Sequence, residues 1–200
     1  MAFRLKVFKH AEDRLPVACI LALSVLDFIL YFTASNPYVL GCYFFAMIIP
    51  KSQICAWNHH HQHAPTFLQG SLNRLLEFFY ALHTGVTTNL WVLHHNYGHH
   101  QHYLDQSKDQ SRWQRKDGST MGELEYSLNV AATSYWRGYQ VGKDFPAERN
   151  TFVLFGAITF LILAFLIWYK PIPALFLFVL PMPMGLFMTC LLYTSDAADE

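Results

Sequence analysis

The chain has 200 residues, 53% hydrophobic and 16% aromatic but only 14% charged, where an ordinary soluble domain carries about 25% charged residues. Fourteen basic and fourteen acidic residues cancel to a formal charge of zero, so the basic excess that nucleic-acid binding demands is missing. Its four cysteines show no CxxC spacing, which argues against a zinc ribbon or a disulfide framework; they read as small buried apolar residues.

In chain order, Arg4, Lys6, Lys9 and Arg14 precede an apolar run, Leu15–Ala34. At about 1.5 Å of rise per residue a helix of that length matches a hydrocarbon core of roughly 30 Å. No small-residue cleavage pattern closes the run, so it reads as a membrane span and not a cleavable signal. Asp27 lies within it, where a carboxylate is costly, and is expected either to be functional or to pair near the outer interface. After the turn Ser35-Asn36-Pro37, Tyr38–Trp57 is the second span, with Lys51 near its end expected to snorkel to the interface. Leu72, Leu75, Leu76, Phe79 and Leu82, interleaved with Asn73, Arg74 and Glu77, predict an amphipathic helix lying on the membrane surface. Residues 103–119 are polar and read as loop. Thr120-x-x-Glu123 predicts a capping box opening a second surface helix. Thr151–Tyr169 and Ile172–Thr189, split by Lys170-Pro171, complete two transmembrane hairpins. The expected fold is therefore all-α and integral to the membrane. Of the fourteen basic residues only Lys170 falls on the far side, so the positive-inside rule turns the amino terminus and the polar middle toward the cytoplasm.

Ten of the eleven histidines fall between His59 and His102, mostly in two bursts, 58–63 and 94–102. His59 and His63 stand four apart, as do His95 and His99, with His100 following. On a helix, positions i and i+4 share a face, so each pair can converge on one point. Neutral imidazole is the commonest protein ligand for transition metals. With no thiolate and no HExxH pattern in the bursts, an all-imidazole set suits Fe, Zn, Cu or Ni, and ligand type alone leaves the metal open. The bland alternatives are a solvent-exposed metal-sticky tract and, for His83, a satisfied core histidine. Asp105 and Asp109 could accept imidazole N–H bonds but read better as a solvated loop face, and Asn58 and Asn96 as polar surface.

The pattern His59-x-x-x-His63, then His95-x-x-x-His99-His100 about thirty residues later, resembles the first two histidine boxes of membrane fatty acid desaturases and related hydroxylases. The order of parts also matches: hairpin, box, surface helix, box, polar segment, hairpin. The resemblance implies a centre of two iron ions held by His59, His63, His95, His99 and His100 at the cytoplasmic face. It implies O2 as oxidant, a fatty acyl substrate carried on CoA, a carrier protein or lipid, and an electron donor such as ferredoxin or cytochrome b5. His60 and His61 match no position of the pattern; His94 and His102 are possible additional groups. The family's third box, of the HxxHH kind, is missing, since no histidine follows His102. The final residues, Cys190–Glu200, resemble translated sequencing-adapter sequence, which makes 1–189 an amino-terminal part of the desaturase domain and 190–200 non-native. Desaturation is the leading expectation, with hydroxylation or ketolation by the same machinery second and a histidine-rich metal-binding or transport protein third. The resemblance also implies a narrow acyl tunnel lined by the Phe-rich helices.

Overall fold

A computed structural model describes residues 6–196, without the side chains of Thr189 and residues 191–196. Among the described residues, seven α-helices run in order: α1 (Arg14–Thr33), α2 (Pro37–His63), α3 (Gly70–Thr84), α4 (Glu123–Val141), α5 (Pro146–Tyr169), α6 (Pro171–Ala174) and α7 (Pro181–Asp196). A π-turn, Val92–Tyr97, and a 3-10 turn, His100–His102, lie between α3 and α4, and a second π-turn, Leu175–Val179, joins α6 to α7. Among the described residues the only β features are two isolated bridges.

Among the described residues, four stretches are long and apolar enough to cross a membrane: α1, α2, α5 and Pro171–Met188. Their outer sides carry large exposed apolar residues, such as Leu15, Phe45, Ile49, Leu161 and Trp168, the surface expected of helices whose solvent is lipid. Local chemistry sets their limits. Asn36 accepts a bond from the Tyr38 N–H ahead of Pro37, a cap followed by proline at the first helical position. Lys170-Pro171 ends α5, because proline disfavours a helical residue before it.

The second helix continues past the predicted end at Trp57 to His63, so the first histidine burst rides on a span's own final turns. The fourth apolar run is not one straight helix but is broken by its π-turn. At the second burst the predicted α-helix is replaced by a wider turn, although the His99 N–H still bonds the His95 carbonyl at 3.1 Å.

Four sequence readings are corrected. Lys51 does not snorkel: it is buried and pairs with Asp27 at 2.8 Å, while the Tyr43 hydroxyl donates to the other Asp27 oxygen at 2.7 Å. The Lys51 ammonium also reaches the Leu177 carbonyl in the broken span at 3.4 Å, and His83 and Ser24 extend the cluster across α1 and α3. The α3 helix is not laid on a surface but packs among α1, α2 and α7. Its polar residues are satisfied internally, Asn73 exchanging two bonds with the Phe67 backbone and Glu77 accepting from Arg74. Thr120 forms no capping box; Gly122 precedes α4, because Thr120 is drawn into a bridge with Gln114. Cys42 is exposed, although Cys55 and Cys190 are buried.

The α3 and α7 helices touch at their backbones. A side-chain carbon on Gly185 would lie 2.5 Å from the Thr84 Cα, and one on Gly85, whose φ is +71°, would lie 2.6 Å from the Met182 carbonyl oxygen. Glycine alone permits this crossing, which fixes α3, and through it the segment leading to the second burst. The proposed tail boundary at Cys190 falls inside α7; residues 197–200 lie outside those described.

Candidate metal centre

The final turns of α2 and the π-turn bring the two bursts together. His59 Nε2 lies 2.8 Å from His63 Nε2 and 3.1 Å from His95 Nε2, and His95 Nε2 lies 3.0 Å from His100 Nε2. One ring nitrogen from each of His59, His63 and His95 falls within 4.8 Å of the others, a group that could hold a metal ion. The His63 ring sits 5.2 Å from that of His100, and the His99 ring 5.5 Å from those of both His95 and His100.

These contacts test whether a metal fits. An imidazole nitrogen has one in-plane position, holding either a proton or a lone pair. His59 Nε2 and His95 Nε2 each face two other ring nitrogens, so hydrogen bonding among neutral rings satisfies at most one neighbour apiece. Lone pairs converging on a cation satisfy all of them. Around a metal with nitrogen bonds of about 2.1 Å, ligands at right angles stand about 3.0 Å apart and tetrahedral ones about 3.4 Å. The observed separations of 2.8, 3.0 and 3.1 Å match the first arrangement. The residues fit a metal.

Electrostatics agree. Burial, reinforced by His59 and His100, pushes the His95 pKa far below its usual value, which keeps the ring in its neutral, metal-binding form. The buried Trp91 ring lies 5.9 Å from that of His95, while His63 and His100 are exposed.

The remaining candidates go elsewhere. His60 is exposed. His61 turns into the protein, 2.9 Å from the Thr66 hydroxyl and 3.5 Å from Glu77. Burial pushes Glu77 up, but its bonds from His61 and Arg74 outweigh this and hold it below the ordinary carboxylate value. His94 is buried and stacked on Trp91; burial and then the Arg137 charge bring its pKa down to about 3. His102 lies on the 3-10 turn that follows the second box. His83 bonds Ser24 and faces Asp27 in the polar cluster between α1 and α3. Asn58 is buried and donates to the Thr84 hydroxyl, and Asn96 donates to the Gln62 carbonyl, so both brace the helices.

Sequence reading undervalued Asp109. It is fully buried, with both oxygens 2.8 and 2.9 Å from His99 Nδ1. Asp105, four residues earlier, instead accepts from Ser107 in an exposed turn. The spacing from His99 to Asp109 contains no helical period, so nothing in the pattern separates the two aspartates. Between α2 and α7 lies only a small cavity. The cavity there, lined by Phe44, Met47, Lys51, His83, Met184 and Met188, has a volume of about 10 Å³, room for one water molecule.

A family model described as fatty acid desaturase matches residues 34–198, taking in both bursts and all but the first span. No curated protein and no solved structure matches the chain.

Proposed function

The chain belongs to the fatty acid desaturase family, and from that premise we propose that it removes two hydrogens from a fatty acyl chain with O2 as oxidant, at two irons held by His59, His63, His95, His99 and His100. The reaction balances as –CH2–CH2– + O2 + 2 e⁻ + 2 H⁺ giving –CH=CH– + 2 H2O. The supporting observation is the linked approach of Nε2 atoms from both bursts, His63 to His59 to His95 to His100, at 2.8, 3.1 and 3.0 Å. When bound, iron supplies the oxidising power toward an unactivated methylene that side chains lack. Imidazoles suit that task because thiolates would themselves climb the oxidation ladder.

The chain's own residues supply binding, orientation and exclusion of water. His59 and His63 would hold the metals from a span's end, and His95 in the π-turn, His99 just after it and His100 at the start of the 3-10 turn would complete the set. The buried Trp91 ring beside His95 covers part of the protein side. The exposed side, at His63 and His100, suits the approach of an electron donor of the ferredoxin or cytochrome b5 kind. Lipid-facing spans suit a substrate drawn from the bilayer, and basic residues beside the first span support a cytoplasmic orientation. Five imidazoles leave two irons short of donors, so the reading carries with it a third box downstream of residue 189.

Product analysis tests the proposal. Membranes expressing the chain with its downstream coding sequence, given isotope-labelled fatty acids, O2 and a reductant, should form acyl chains lacking two hydrogens. Acyl chains that gain one oxygen make the protein a hydroxylase or ketolase. Folded, iron-loaded protein that yields no O2-dependent product ends the proposal.

A further inference from the structure

The segment after the second box is built with unusual care for a loop so rich in polar residues. The chain turns back on itself between His99 and Ser111. Leu104 takes a φ of +67°, a conformation uncommon outside glycine. The Asp109 and Lys108 N–H groups both donate to the Asp105 carbonyl, at 2.8 and 2.9 Å. Then the Gln110 N–H donates to the Gly98 carbonyl at 2.9 Å, closing the loop on the residue beside His99. Gly98 makes this possible: a side-chain carbon there would stand 2.6 Å from both the Gln110 Cγ and the His94 carbonyl. From α4, the Arg137 guanidinium donates to the Gln110 carbonyl. The loop is thus tied down on both sides of one residue, Asp109.

Asp109 is fully buried, and its Oδ1 accepts the Ser111 N–H at 2.6 Å besides facing His99 Nδ1. An ionised carboxylate only accepts hydrogen bonds, so Nδ1 of His99 must carry the proton. The proton on Nδ1 leaves Nε2, the ring nitrogen on the edge away from Asp109, as a lone pair. Resting on the proposed metal centre, we propose that Asp109 is a positioning residue: it fixes the tautomer and ring plane of His99, and the 99–111 return, clamped by Gly98 and Arg137, serves to deliver it. Acceptors behind ligating imidazoles characteristically set both affinity and orientation.

Asp109→Asn tests this, because an amide is the same shape but can donate to Nδ1 and so reverse the tautomer. Co(II), titrated into the purified chain and followed by its visible absorption, should bind Asp109→Asn about 10–100-fold more weakly than wild type, with a shifted ligand-field band. Asp105→Asn should match wild type. In a His99→Ala background, Asp109→Asn should cause no further loss, since the two act as one unit. Wild-type affinity and spectrum in Asp109→Asn, or an equal loss with and without His99, overturns the proposal. An independent reading needs neither a variant nor a metal: ¹⁵N resonances of the metal-free wild type should show His99 protonated at Nδ1, and protonation at Nε2 refutes the assignment. A wild type that binds no Co(II) yet keeps the Nδ1–H form sinks the metal reading while upholding the Asp109 contact.

Discussion

Replacing Lys51 by methionine removes the cation from a buried ion pair and keeps most of the side-chain volume. The pair stands at 2.8 Å, with neither side chain appreciably exposed. At an effective dielectric of about 20 the Coulomb attraction at that distance is roughly 6 kcal/mol, much of it offsetting the cost of taking both charges out of water. Removing one partner leaves the other buried and unmatched, a loss of about 3–5 kcal/mol. The Leu177 carbonyl also loses its donor at 3.4 Å. For a chain of this size that loss lowers the unfolding midpoint by roughly 6–20 °C. The assay is thermal unfolding in detergent micelles of wild type, Lys51→Met, Asp27→Asn and the double variant. The double variant should recover at least half of the larger single loss, because the amide introduced by Asp27→Asn still accepts from Tyr43 and no lone charge remains. Single variants with unchanged midpoints, or a double variant as unstable as the two losses summed, would refute the reasoning.

At the α3–α7 crossing, Gly185→Ala drives a methyl to within 2.5 Å of the Thr84 backbone and should cost at least about 1–3 kcal/mol, read from the same melts. Gly70→Ala, where nothing lies within 4 Å, should be neutral or slightly stabilising. For His83, burial, aided by the Lys51 charge, holds the pKa well below 6.5, while Ser24 and Asp27 face it from α1. The folded ring therefore stays neutral where the unfolded one takes up a proton. Stability from this group is intact above pH 6.5 and falls by up to about 1.4 kcal/mol per pH unit below it. His83→Asn should flatten that slope between pH 7 and 5 in unfolding titrations, and an unchanged slope rejects the assignment.

Much of the fold was legible because lipid simplifies the code. A span must be apolar around its whole circumference, so α1, α2 and α5 stand out from composition alone, within a few residues of their ends. The i,i+4 spacing likewise marked His59 and His63. What stayed hidden were the polar groups turned inward. Nothing in the local pattern says that Lys51 meets a carboxylate 24 residues earlier, or that Asn73 and Glu77 are satisfied inside the fold, so ordinary amphipathic reasoning sent them outward. The π-turn at the second burst widens a helix without leaving a period in the sequence. Asp109 was equally hidden, since its role depends on a loop closing over Gly98.

The most direct measurement is the metal content and ligand set of the protein expressed with its downstream coding sequence, purified and loaded anaerobically with Fe(II). X-ray absorption at the iron edge should report a shell of nitrogen donors at about 2.1 Å. His59→Ala, His63→Ala and His95→Ala should each strip the metal, while exposed His60→Ala retains it. Folded wild type that takes up no iron, or His95→Ala protein that holds iron as tightly as His60→Ala, would contradict a shared centre built from both bursts.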